Sequence, residues 1–139
     1  MPRISFEIPG PPGSKERPRQ SRGGHFYTPT KTKQYEEYLK ECYKKQTGGY
    51  YFDTAFLKVE IVVYFDIPKS YTGTRLKAIN SGKYFPTQKD CDNIAKAVCD
   101  GLNKTAYKDD RQIIDLHVKK LYAVGVNCQS RIEIHITDL

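Results

Sequence analysis

Three aspartates and a lysine in the second half of the chain have the types and spacing that metal-assisted chemistry needs. Asp90 and Asp92 stand in Lys89-Asp90-Cys91-Asp92-Asn93-Ile94-Ala95-Lys96, and Asp110 follows 18 residues after Asp92 in Tyr107-Lys108-Asp109-Asp110. In extended backbone the side chains of Asp90 and Asp92 would leave the same face with Cα atoms roughly 7 Å apart, and one ion could sit between them. Magnesium prefers an octahedron of oxygens and takes only a few carboxylates, leaving positions for water and phosphate. Hydrolysis of a phosphodiester needs an activated water in line with the leaving oxygen and positive charge around the crowded phosphorus, and one or two ions supply both. Lys96 lies one helical turn beyond Asp92, where it could contact a scissile phosphate or stabilise developing charge.

The same residues have a plain structural reading. Asp92 stands where a helix cap or first-turn acid belongs, and Asp109-Asp110 fits a turn. Lys96 could form an i,i+4 ion pair with Asp92 or with Asp100, worth only a few tenths of a kcal/mol on an exposed helix. On spacing alone, D-x-D leaves the structural reading ahead.

Composition narrows the surroundings of this cluster. The 139 residues suit one domain, residues 1–139, with a single core, and the eleven Tyr and six Phe argue against disorder. Lys and Arg outnumber Asp and Glu by 23 to 16, a formal charge of +7 that attracts polyanions, nucleic acid above all. No run approaches the roughly 18 apolar residues that span a bilayer, and the start has no apolar leader core, so the expectation is a cytoplasmic protein with no membrane partner. Cys42, Cys91, Cys99 and Cys128 lack C-x-x-C spacing and form no ligand pattern with His25, His117 and His135. Reduced structural thiols are expected.

The elements that must position the cluster follow from periodicity. Ile4, Phe6 and Ile8 alternate with polar neighbours, which predicts a strand over 4–8 that ends at Pro9-Gly10-Pro11-Pro12-Gly13. Residues 14–24 read as a basic loop free to follow a phosphate backbone or to serve as a solvated linker. Tyr35, Leu39, Cys42 and Tyr43 at helical spacing predict an amphipathic helix over 32–46, stopped at Gly48-Gly49. Leu57, Val59, Ile61, Val63 and Phe65 predict the best strand, limited by Pro68. A long connection through 70–89 carries Arg75, Lys77, Lys83 and Lys89, with a short helix near 72–80. Ile94, Ala97, Val98 and Leu102 mark a helix over 93–102 that begins at the acidic pair. Alternation of Ile114, Leu116 and Val118, and of Ile132, Ile134 and Ile136, predicts two closing strands.

The string Asp90-Cys91-Asp92-Asn93-Ile94-Ala95-Lys96-Ala97-Val98-Cys99-Asp100-Gly101-Leu102, followed by Ala106-Tyr107-Lys108-Asp109-Asp110-Arg111-Gln112-Ile113, closely resembles the RusA family of Holliday junction resolvases. The elements D-x-D-N-x-x-K-x-x-x-D-x-L and D-D-x-Q-[IV] occur together and in order. The likeness extends to the first strand and its Pro-Gly end, the basic loop, the first helix and the central strand. Cys91 departs from the apolar residue usual between the acids, and Glu16 interrupts the basic loop.

The resemblance implies an α/β (α+β) domain, a mixed β-sheet with two main helices packed on it, working as a homodimer with two active sites. It implies paired incisions in four-way DNA junctions during recombination and repair, in a bacterial or phage-infected cell, with Mg2+ as cofactor and Mn2+ as a substitute. It assigns Asp90, Asp92 and Asp110 as metal-binding acids, Lys96 as the essential lysine, and Ser14, Lys15, Arg17, Gln88, Lys89 and Asn93 as DNA contacts. The alternatives are a branched-DNA endonuclease for flaps or forks and a non-catalytic DNA-binding module, whose binding would be steeply salt-dependent and indifferent to Mg2+.

Overall fold

The strand with the cleanest alternation lies inside the sheet. In a computed structural model that describes residues 2–13, 19–20, 22–24, 26–27, 30–126 and 128–139, β4 (Leu57–Phe65) buries Leu57, Val59, Ile61, Val63 and Phe65 on one face. Lys58, Glu60, Val62 and Tyr64 are half-buried on the other. β1 (Arg3–Pro9), β5 (Ile113–Tyr122) and β6 (Arg131–Asp138) join it in a four-stranded sheet of order β1-β6-β4-β5. β6 is antiparallel to both β1 and β4, whereas β5 runs parallel to β4, so the sheet is mixed. Ile132, Ile134 and Ile136 of β6 are almost fully buried, each stabilising the fold by about 1.5–3 kcal/mol.

Two main helices cover one face of this sheet. α1 (Thr30–Thr47) buries Thr32, Leu39, Cys42 and Tyr43 and packs on β1. It ends as its Gly residues predict: Gly48 takes φ +70° and its N–H donates to the Lys44 carbonyl at 3.0 Å. A short helix, α2 (Thr74–Asn80), lies in the connection after β4. α3 (Cys91–Gly101) packs on β5 and against α1. The two main helices come so close that a Cβ on Gly101 would stand 2.5 Å from Leu39 Cδ1.

The observed elements depart from the expected ones in three places. The basic stretch is not structureless, because β2 (Arg19–Gln20) pairs with β3 (Phe26–Tyr27) in a small antiparallel ladder. β5 does not bury Ile114, Leu116 and Val118 as one stripe. The register shifts beside Leu57, which pairs with Ile113 while Lys58 pairs with Asp115, so the extra residue Ile114 is pushed out and is 63% exposed. The acids at 90 and 92 do not form an extended pair, since α3 begins at Cys91 and its first turn is closed by the Ile94 N–H on the Asp90 carbonyl at 3.1 Å. All four cysteines are free thiols, and among the described residues no helix is long and apolar enough to cross a membrane.

Candidate active site

The start of α3 sets the geometry of the first two acids. Lys89 sits at φ +60°, a left-handed conformation that costs a non-glycine residue on the order of 1 kcal/mol, and the Lys120 ammonium of β5 donates to its carbonyl at 2.9 Å. This turn places Asp90 at the N-cap with extended φ −76° and ψ 145°, yet its carboxylate accepts no capping hydrogen bond. Asp90 and Asp92 are both exposed. Asp92, in the first turn, heads a stripe that continues at i+4 and i+8 through Lys96 and Asp100. Among the described residues no ion pair joins Lys96 to Asp92, so that version of the structural reading is not realised.

Asp110 reaches the same stripe from the opposite wall through a chain of anchors. The Tyr107 hydroxyl, fully buried, donates to the Cys99 carbonyl at 2.6 Å, and the N–H groups of Phe52 and Lys108 donate to the carbonyls of Ala106 and Asp53 at 2.8 and 3.2 Å. A single 3-10 turn, Asp110–Gln112, follows. Asp109 caps it: its carboxylate accepts the Arg111 N–H at 2.9 Å, and the Gln112 side-chain oxygen accepts the Asp109 N–H at 2.8 Å. Gln112 then donates its amide to the carbonyls of Asp53 and Ala55 at 2.7 and 2.8 Å. The D-D-x-Q element therefore divides its labour, with Asp109 and Gln112 holding the turn and Asp110 turned to the cleft.

That cleft, of about 340 Å³, is lined by Asp92, Lys96, Asp100 and Asp110 together with Ala95, Cys99, Ile113 and Leu116. Partial burial raises the Asp110 pKa to about 6, and the effect is reinforced by Asp100, which shares a hydrogen bond with it, and by Asp109. Asp109 shifts the other way, its carboxylate held below the usual range chiefly by the Arg111 backbone N–H. Burial, then the charges of Asp110 and Asp100, push the Cys99 thiol up to about 12, so it stays protonated.

The donor set suits a hard cation. Three carboxylates, Asp92, Asp100 and Asp110, line the polar side of the cleft together with Lys96, and the crowding of Asp110 against Asp100 is the kind of repulsion that a divalent ion relieves. Among the described residues no group of three or more His, Cys, Asp or Glu side chains is arranged to hold a metal ion.

The family described as endodeoxyribonuclease RusA matches residues 9–137. The chain belongs to the RusA family. Its relative YqaN, an uncharacterised protein of Bacillus subtilis (strain 168), is 34% identical over 142 residues, covering 98% of this chain and 96% of the relative. The RusA match runs from Pro9, the last residue of β1, to Thr137 in β6, so it takes in both main helices and strands β4 to β6.

Of the residues expected at a RusA site, Asp92, Lys96 and Asp110 share the cleft, while Asp90 stands at the cap of α3 and is not among the residues that line it. Gln88 is exposed, and Lys89 and Asn93 are half-buried around the same turn. Ser14, Lys15 and Arg17 lie outside the described residues. Asp100 was not among the expected ligands, although its position eight residues beyond Asp92 and four beyond Lys96 put it on the same helical stripe. The apolar wall made by Ile113 and Leu116 carried no signal, because it depends on the β5 register.

Proposed function

We propose that the protein is a Mg2+-dependent endodeoxyribonuclease that resolves four-way DNA junctions by paired phosphodiester hydrolysis, working as a homodimer in recombination and repair. The observation that carries the reading is the convergence of Asp92 and Lys96, from one helix, with Asp110, from a separately anchored turn, in a single cleft on a basic protein. Asp92 and Asp110, with Asp90 from the cap, would hold Mg2+, for which Mn2+ can substitute. When bound, the ion supplies an activated water and charge compensation at phosphorus.

The chain's own residues supply the rest. Lys96, exposed between two acids on its helix, would contact the scissile phosphate and offset charge as it develops on the oxygens. Asp100, beside Asp110, adds to the negative charge that the ion would offset. Ile113 and Leu116 give the cleft an apolar side. The basic surface draws the DNA backbone toward this small acidic spot.

The test is cleavage of an end-labelled four-way junction by wild type and Asp92→Asn, each in Mg2+ and in EDTA. Symmetric, metal-dependent nicks that vanish in the variant are expected, with junction binding unchanged or tighter because a carboxylate near phosphate is lost. Equal cutting by the variant overturns the site, and equal rates on junction, flap and linear duplex overturn the junction preference. Tight binding with no cutting in any metal makes the protein a DNA-binding module.

A further inference from the structure

The connection between β4 and α3 is basic along most of its length. Residues 67–89 carry Lys69, Arg75, Lys77, Lys83 and Lys89 with no Asp or Glu, five of the seven net positive charges of the protein. Three tyrosine rings fix this segment to the sheet. Tyr71 and Tyr84 pack edge-on or tilted against Tyr122 of β5 and each other, with centroids 6.1 to 6.2 Å apart. The Arg75 guanidinium covers the Tyr71 ring at 4.5 Å and approaches Tyr84 at 5.8 Å, so those faces are already occupied.

Phe85 is the exception. It follows Tyr84 directly and precedes Pro86, which is buried, so the backbone is fixed on both sides while the Phe85 side chain points outward and stays 47% exposed. Its ring stacks on no other aromatic among the described residues. A lone exposed apolar side chain needs no explanation by itself. This one is held between two anchors in an all-basic segment, five residues before Asp90, so it lies within roughly 18 Å of that acid along the chain.

We propose that Phe85 is a substrate-selecting residue that stacks on an unpaired or unstacked base at the branch of the DNA, while Arg75, Lys77 and Lys83 hold the neighbouring phosphates. The chemistry follows from the parts: every base offers a π-face to an aromatic ring, and a branch point exposes bases that a continuous duplex keeps stacked. A basic, aromatic-bearing loop that leads into Asp90 and α3 would favour branched DNA without reading its sequence. The inference rests on the branched-DNA reading above and adds the element that recognises the branch.

The experiment uses the full-length protein in EDTA, a four-way junction carrying 2-aminopurine at the branch, and a linear duplex with the same base inside. Phe85→Ala should bind the junction roughly 10-fold more weakly and lose the fluorescence change at the branch, with duplex affinity within about twofold of wild type. Phe85→Tyr should keep both properties, and Lys83→Ala should weaken junction and duplex alike. Thermal melts check that each variant folds. A Phe85→Ala protein that binds and perturbs the branch as wild type does, or a loss equal on junction and duplex, overturns the role of Phe85 and leaves the nuclease reading standing. A wild type that neither binds nor cuts branched DNA overturns both.

Discussion

Asp90 and Asp109 occupy the same kind of place, the N-cap of a helical segment one or two residues before a cleft acid, and the molecule uses them in opposite ways. Asp109 turns its carboxylate inward onto the Arg111 N–H and pairs with Gln112 in a reciprocal capping box. Asp90 has extended cap backbone but makes no side-chain cap hydrogen bond. A three-residue turn has little else to hold it, so its cap must bond. α3 is anchored by the burial of Ile94, Ala95, Ala97, Val98 and Cys99, and can leave the cap carboxylate exposed for another partner.

The sharpest way to break this contrast is to neutralise the two caps in turn. Asp90→Asn should reduce Mg2+-dependent junction cleavage by about 100-fold or more while shifting the melting temperature little. A variant that cuts normally but melts several degrees lower would make Asp90 an ordinary cap. Asp109→Ala should do the reverse, lowering the midpoint of urea unfolding, with a smaller loss of cleavage than Asp90→Asn causes. An Asp109→Ala protein of unchanged stability would mean that Gln112 and its bonds to Asp53 and Ala55 hold the turn unaided.

A subtler effect concerns Asp110, whose pKa of about 6 lies above the ordinary value of 3.8. Its carboxyl is protonated at no penalty below about pH 4, and the cost to the metal-free fold grows as pH rises from about 4 to about 6 and levels off above that. Asp110→Asn in EDTA should therefore be more stable than wild type at pH 8, by about 1 kcal/mol after allowance for solvent screening, and the gain should fade on acidification and vanish near pH 4. A gain of equal size at both pH values would assign it to packing instead. Added Mg2+ should narrow the difference at pH 8 by stabilising the wild type alone.

The sequence told most where one physical signal acted without competition. β4 runs over the residues its alternation marks, Leu57–Phe65, because a strand flanked on both sides in the sheet buries every second side chain. β6 behaves likewise around Ile132, Ile134 and Ile136. β5 looked equally regular, but it is an edge strand, and one extra residue at Ile114 was enough to break the stripe. The start of α3 was misplaced by two residues, because either Asp fits a cap by type and only the left-handed turn at Lys89, held by Lys120 from 31 positions away, decides between them. Asp92, Lys96 and Asp110 were singled out by residue type and spacing, and the fold brings them into one cleft. Asp100 was visible only as a helical neighbour, and its bond to Asp110 emerges once the 102–110 connection folds back through Tyr107.

The strand order carries a further consequence for how the protein is made. β6 lies between β1 and β4, yet it is the last of these elements in the chain. During synthesis β1 and β4 emerge early with no common neighbour, and they gain one only when residues 131–138 have left the ribosome. The acids at 90, 92 and 110 are already translated by then, but the sheet that carries β5 and supports α3 is not closed. Until β6 has emerged, the nascent chain thus lacks a finished platform for its cleft, which separates the birth of the site from the onset of its reactivity.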